Sequence, residues 1–140
     1  EFMASNGSVL FEGIPEKETP DWIELYNATD VPINLAGFTI TDDLEEPDRH
    51  VLSNLGIEPR SYLVLFADGD PEEGPEHLDF KLDVDGESIG LYSPEGLALD
   101  RVEYTHMMTD MVAARMPDGG SLAGTYESTP GTTNPSEVSE

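Results

Sequence analysis

One pentapeptide, Gly86-Glu87-Ser88-Ile89-Gly90, matches the G-x-S-x-G pattern of serine hydrolases. Their chemistry requires the serine on a sharp turn between a strand and a helix, beside donors that bind an oxyanion. Here Asp83-Val84-Asp85-Gly86 predicts a turn, and the residues after Ser88 alternate as in a strand until Pro94. The match is therefore interpreted as a coincidence, and the chain is not expected to be an enzyme.

Metal-binding and other catalytic patterns are weak. His50, His77 and His106 lie far apart and lack the paired spacing of a zinc site, so we expect them on the surface or in loops. No cysteine is present, which excludes disulfides and thiolate chemistry. Carboxylate pairs for glycoside hydrolysis are defined in space and cannot be identified from sequence.

Calcium is the one cofactor that the residues suggest. Asp68, Asp70, Glu72 and Glu73 place several hard oxygen ligands in one loop, although the glycine of an EF-hand loop is absent. A solvated acidic loop without metal is the alternative. Two further acidic loops occur, one with Asp42, Asp43, Glu45 and Glu46 and one with Asp83 and Asp85.

The charge of the chain restricts its partners. Thirty acidic residues face six basic ones, giving a formal net charge of −24. Nucleic acid and anionic membranes would be repelled, because both are bound through Lys and Arg. No apolar run is long enough for insertion into a membrane. A cationic partner, divalent cations or a saline habitat fits this charge.

Short apolar runs separated by glycine and proline predict an all-β fold. Within Asp21–Asn27, Ile23 and Leu25 share one face, and Trp22, Glu24 and Tyr26 share the other. The run Tyr62–Phe66 is apolar on both faces, which predicts a central strand. Such runs predict a sandwich or barrel of about eight to nine short antiparallel strands. Only Tyr104–Met116 hints at a helix, with its methionines plugging one end of the sandwich or forming a patch for a partner.

The domain is predicted to span residues 9–134. Residues 1–8 are expected to be a flexible N-terminus, in which Glu1-Phe2-Met3 resembles a cloning scar. Residues 135–140 are expected to be a flexible C-terminal tail.

Six blocks occur in a characteristic order, and they are Asp21–Asn27, Ile33–Ile40, Gly86–Leu91, Leu99–Tyr104, Arg115–Gly119 and Thr129–Asn134. Together they resemble the lamin-tail domain, the immunoglobulin-like domain of nuclear lamins that also occurs in bacterial secreted proteins. This resemblance covers roughly residues 9–134 and implies an immunoglobulin-like antiparallel β-sandwich.

Several residues of these blocks have predicted structural roles. Gly37 and Gly86 permit the positive φ of tight turns, and Asn27 can bond nearby backbone at a strand end. Asn27-Ala28-Thr29 and Asn6-Gly7-Ser8 also fit the N-glycosylation pattern, but the turn role is preferred for Asn27. Glu24, between Trp22 and Tyr26, needs a partner if its face is covered, and Arg115 is the candidate. The structural set is Trp22, Glu24, Asn27, Gly37, Gly86, Arg115, Gly119, Pro130 and Gly131.

The resemblance implies a non-catalytic interaction module of a larger secreted or cell-surface protein, in an extracellular or cell-envelope setting. Its partner would be a protein or a glycan, with a cationic one matching the charge, and the isolated domain is expected to be a monomer. The alternatives are the structural tail of an intermediate-filament-like protein and an acidic-loop calcium-binding domain. The chain itself contains no heptad rod.

Overall fold

The computed structural model describes residues 1–15, 18–116, 118, 121–126 and 128–134. These residues form eleven strands and one short 3₁₀ turn at Pro71–Glu73. The strands are β1 Phe2–Met3, β2 Asp21–Tyr26, β3 Ile33–Asn34, β4 Thr39–Thr41, β5 His50–Val51, β6 Gly56–Ile57, β7 Tyr62–Ala67, β8 Gly86–Tyr92, β9 Ala98–Thr105, β10 Val112–Met116 and β11 Ser121–Thr125.

Two antiparallel sheets make the body of the sandwich. One has five strands in the order β11-β10-β1-β2-β7, and the other has four in the order β5-β4-β8-β9. A small pair, β3 with β6, completes the structure. The strand count exceeds the predicted eight to nine because β1, β3, β5 and β6 have only two residues each, too few to produce an alternating pattern.

The main core lies between the sheets. Ile23 and Ile89 are both buried there, and Leu25 and Leu91 pack against the same cluster. These four residues are the ones whose alternation predicts an inward direction in β2 and β8. The predicted all-β, immunoglobulin-like antiparallel sandwich is therefore confirmed.

The outer face of the five-stranded sheet is covered as well. Trp22 is fully buried, and the ring of Phe11 meets both Trp22 and Phe66 edge-on at centroid distances of 5.8 and 5.1 Å. Edge-to-face rings at this separation add to the stabilisation from burial. Because both faces are covered, Trp22 and Ile23 are buried although they point in opposite directions.

The start of the chain differs from the prediction of a flexible segment over residues 1–8. Phe2 and Met3 form β1 in the middle of the five-stranded sheet, where Phe2 is paired with Ile23 on one side and with Ala113 on the other. Both side chains are buried. Phe2 and Met3 are buried by strands that are distant in sequence. Two apolar residues among polar neighbours do not by themselves indicate a strand, so the sequence did not predict β1.

Two other segments differ in detail from their predictions. The strand β7 was predicted to be central but lies at the edge of its sheet. Isolated bridges from Phe66 to His77 and from Asp68 to Lys81 cover its outer edge. The segment after Tyr104 continues as strand, loop and β10, with no helix among its described residues. In that loop Met107 is buried, as expected of a plug, whereas Met108 is exposed. No helix in the described ranges is long and apolar enough to cross a membrane.

Candidate interaction site

The acidic loop predicted to hold calcium is only partly assembled. Carboxylate oxygens of Asp68 and Glu73 lie within 4.8 Å of each other and of a ring nitrogen of His77, whereas Asp70 and Glu72 are outside this group. His77 Nδ1 is 2.6 Å from Asp68 Oδ2 and 3.4 Å from Glu73 Oε2. Two carboxylate oxygens and an imidazole nitrogen are ligands that divalent transition metals accept more readily than calcium does.

The same contacts explain this cluster without any ion. His77 lies in the loop after β7, one of the two positions expected for it, and its side chain is buried there. Its ring lies against Phe66, with centroids 5.2 Å apart, and its bond to Asp68 joins the loop to the end of β7. A buried imidazole requires such a partner, because an unpaired polar group in the interior is costly.

Glu24 and Arg115 have separate partners instead of the predicted mutual pair. The Glu24 carboxylate accepts the backbone N–H of Gly131. Burial raises the pKa of Glu24 to about 7, an effect that the Gly131 N–H opposes. Arg115 donates from Nη2 to Asp100 Oδ1 at 2.6 Å. The need for a partner at Glu24 was recognised from its face, but the loop that supplies the partner is more than 100 residues away in sequence.

Asn27 closes the end of β2 with its side chain, as its position predicts. Its Nδ2 donates to the carbonyls of Val31, Ile57 and Glu58 at 2.8, 3.0 and 3.2 Å. Its Oδ1 accepts the N–H and hydroxyl of Thr29. Because this amide is buried and bonded, it is not available to a glycan in the folded domain.

The glycine roles are confirmed where the structure describes them. Gly37, Gly86 and Gly131 have positive φ of 85°, 111° and 83°. At Gly86 a Cβ atom would lie 2.6 Å from the carbonyl oxygen of Tyr104, so both conformation and space require glycine. Pro130 and Gly131 follow the last described strand, β11. Gly119 and residues 135–140 lie outside the described residues.

Two acidic loops that are distant in sequence meet at one cleft, which we call the acidic cleft. It is an open cavity of about 970 Å³ lined by five carboxylates together with Arg49 and His106, and the carboxylates are those of Asp42, Asp43, Asp85, Glu87 and Glu103. The loop of Asp42 and the turn of Asp85 are predicted as separate features, and only the pairing of β4 with β8 brings them together.

Two carboxylates of the acidic cleft, those of Asp42 and Glu87, are partly desolvated. Burial raises the pKa of Asp42 and of Glu87, and the Arg49 guanidinium, 3.5 Å from Asp42, opposes the rise at Asp42. The pKa of the Tyr104 hydroxyl is raised chiefly by burial and also by Glu87, so the hydroxyl stays protonated and donates to the Asp83 carbonyl at 2.9 Å. Such a cleft attracts cations, because desolvated carboxylates lack the water that would screen them.

An apolar gap opens along the same side of the sandwich. It is a cavity of about 520 Å³ between the sheets, bordered by Leu91, Leu99 and Val102 of the four-stranded sheet and by Leu122 of the other. Leu122 also borders the acidic cleft. The two cavities are therefore neighbours along β9. The sequence gives no local signal for this arrangement, because it depends on how the two sheets stack.

The G-x-S-x-G match lies wholly within β8, where Ser88 is paired with Glu103 of β9. A strand interior lacks the sharp strand-to-helix turn that a nucleophilic serine requires. The interpretation of this pentapeptide as part of a strand is confirmed.

Two stacked antiparallel sheets around a shared apolar core define an immunoglobulin-like β-sandwich domain. A family model described as Lamin Tail Domain matches residues 3–106, more than half of the chain. The chain therefore belongs to the Lamin Tail Domain family, a non-catalytic immunoglobulin-like family, and the resemblance seen in the sequence is confirmed. Comparisons with curated proteins and with solved structures found no match.

Proposed function

We propose that this domain is a non-catalytic interaction module of a larger secreted or cell-surface protein, and that its acidic cleft binds a cationic region of a protein partner. The observation that carries the proposal is the convergence of Asp42, Asp43, Asp85, Glu87 and Glu103 on one open cavity. The net charge of −24 extends the same attraction over the whole surface.

The geometry of the cleft favours a macromolecular partner. It is wide and open, and it offers polar and apolar lining together, with Met111, Ala113 and Leu122 beside the carboxylates. Interfaces between proteins combine an apolar centre with a charged rim in this way. Charge complementarity at such a rim accelerates association and excludes anionic competitors.

A labelled lysine-rich peptide tests the cationic preference. We expect micromolar binding that weakens steeply with salt, as contacts between exposed charges do. The variant Asp85→Asn/Glu103→Gln removes two exposed carboxylates of the acidic cleft and should weaken binding several-fold. Its matched control, Asp48→Asn/Glu95→Gln, removes two exposed carboxylates elsewhere and should bind nearly as the unmodified domain does. Equal loss in both variants would show that only net charge matters, and the cleft would be rejected as the site.

The setting of the parent protein is tested separately. A secretion signal or surface domains in the full gene, together with the protein in the extracellular or envelope fraction, would support the proposal. A heptad-bearing rod before this domain would favour the structural tail of an intermediate-filament-like protein instead.

A divalent-cation site is the second candidate function, favoured by the approach of Asp68, Glu73 and His77 to within 4.8 Å. Thermal melts with calcium and with zinc at millimolar concentration test it. A midpoint raised by zinc, and not raised in Asp68→Asn, would support the site. Unchanged midpoints with both ions would leave the cluster as a structural bond between loop and strand.

A further inference from the structure

The strand β9 has an open edge. It is the longest strand, with eight residues, and it lies at the end of the four-stranded sheet. All its ladder pairs are with β8. Within the described part of the chain, no backbone hydrogen bond satisfies its other side. Unpaired backbone along a strand of this length is a template for another strand.

The open edge borders a continuous groove. Leu99–Val102 line the apolar gap, and Glu103–Thr105 line the acidic cleft. Across from β9, Leu122 of β11 borders both cavities. The two cavities therefore follow one another along β9 and form a groove that the Arg115–Asp100 ion pair bridges. We call it the β9 groove.

The two ends of the β9 groove differ in chemistry. At the start of β9, Leu97 and Leu99 are 67% and 52% exposed, which is unusual for leucines two residues apart. At the far end, Asp85, Glu87 and Glu103 line the acidic cleft. A ligand that matches the whole groove needs an aliphatic end and a cationic end.

We propose that the β9 groove binds an extended segment of a partner protein, which adds to β9 as an antiparallel strand. The segment carries Lys or Arg in its N-terminal half, beside Glu103, and aliphatic residues in its C-terminal half, beside Leu97 and Leu99. Main-chain hydrogen bonds supply affinity in strand addition, and the alternating side chains supply specificity. This inference rests on the proposed function and gives the cationic partner its conformation and polarity.

A second copy of the domain fits the groove poorly. Antiparallel pairing of two β9 strands would set Leu99 of one copy near the acidic end of the other, so that leucine meets carboxylate. Each copy also carries a net charge of −24, and the two would repel each other. A basic, extended segment avoids both penalties.

Three synthetic peptides test the proposal by fluorescence anisotropy. The forward peptide, Lys-Thr-Lys-Thr-Lys-Thr-Val-Thr-Leu-Thr, has the expected polarity and keeps its lysines and aliphatic residues on one face, as Glu103 and Leu99 are on β9. The second peptide is the same sequence reversed. The third is the forward peptide with alternate backbone nitrogens methylated, which removes N–H donors and keeps the charge. We expect the forward peptide to bind roughly tenfold tighter than either of the others.

A matched pair of variants locates the site on the domain. Leu99→Lys introduces a charge at the apolar end of the β9 groove, and Leu10→Lys introduces the same charge at a similarly exposed leucine elsewhere. We expect Leu99→Lys to weaken the forward peptide about fivefold or more, and Leu10→Lys to change it little. Amide exchange in Ala98–Thr105 should slow on binding, because strand addition protects edge amides.

The outcomes separate the two proposals. Equal binding of all three peptides, abolished by salt, would overturn strand addition while leaving a cationic module. Absence of binding by every basic peptide would overturn both. A concentration-dependent dimer that Leu99→Lys disrupts would identify a second copy as the occupant and overturn the peptide proposal.

Discussion

Arg115 on β10 reaches Asp100 on β9, with 2.6 Å between Nη2 and Oδ1, and thereby joins the two sheets on their open side. The two residues belong to strands that are not neighbours in either sheet. Asp100 is about half exposed and Arg115 about one third exposed, so water screens the pair. The pair therefore bridges the open side of the sandwich and contributes little to stability.

A double-mutant cycle of Asp100→Asn and Arg115→Gln is expected to give a coupling free energy of about 1 kcal/mol or less at low salt. The value should fall as salt is added, because exposed ion pairs are screened. Urea unfolding of the four proteins measures it. A coupling of several kcal/mol that resists salt would show that the pair is buried in solution.

Asn27→Ala is expected to lower the free energy of unfolding by about 2 to 4 kcal/mol, since it leaves three carbonyls near β2 without their donor. Asn34→Ala is the control. The Asn34 side chain is exposed and bonds the N–H of Ala36 and the side chain of Asn54, so its loss should cost about 1 kcal/mol or less. Chemical denaturation measures the free energy of unfolding of both variants. Similar losses would contradict the conclusion that the buried bonds of Asn27 stabilise the domain more than the exposed bonds of Asn34.

The domain is expected to become more stable as the pH falls from about 8 to about 5. Burial raises the pKa of Glu24 to about 7 and that of Asp21 to about 6, both above their ordinary values. Between the ordinary and the raised pKa the folded state binds protons that the unfolded state has released, so stability declines as pH rises through this window. Urea unfolding at several pH values measures the trend.

Glu24→Gln tests the largest contribution to that trend. Glutamine keeps an acceptor for the Gly131 N–H and removes the buried charge. The variant should be more stable than the parent at about pH 8, by the order of 1 to 3 kcal/mol, and should show a weaker pH dependence. Asp48→Asn, at an exposed carboxylate, should leave the pH dependence nearly unchanged. A destabilised Glu24→Gln at high pH would show that the carboxylate charge is needed in the fold.

Gly86→Ala is expected to destabilise the domain by about 2 kcal/mol or more, because a positive φ and the Tyr104 carbonyl oxygen both exclude a side chain. Gly96→Ala separates the two effects. Gly96 also has a positive φ, 87°, but its added Cβ would meet no atom within 4 Å. Gly96→Ala should therefore lower the free energy of unfolding by only about 1 kcal/mol. Thermal unfolding ranks the pair, and equal costs would show that strand β9 yields to the added methyl group.

Local sequence patterns predicted the strands that are long enough to show alternating apolar and polar residues. Ile23 and Leu25 in β2, and Ile89 and Leu91 in β8, point into the core as their spacing indicates. The side-chain bonds of Asn27 and the positive φ of Gly37 and Gly86 followed from residue type alone. These features depend on near neighbours in the chain, which sequence reading captures.

The candidate site was predictable only in parts. Acidic residues were visible around Asp42 and around Asp85, but their meeting depends on the register of β4 with β8. The partners of Glu24 and His77 were likewise set by packing, since Gly131 and Asp68 reach them through the fold. The net charge favours a cationic partner, which stays a prediction, and the open edge of β9 follows only from the sheet order.

The position of β1 has a consequence for biosynthesis. Phe2 must lie between Ile23, which is made early, and Ala113, which is made late. On a ribosome β1 would therefore wait, with its two apolar side chains unprotected, until Ala113 had also emerged. Pairings this remote in the chain form slowly, so completion of the five-stranded sheet is expected to take milliseconds to seconds after that.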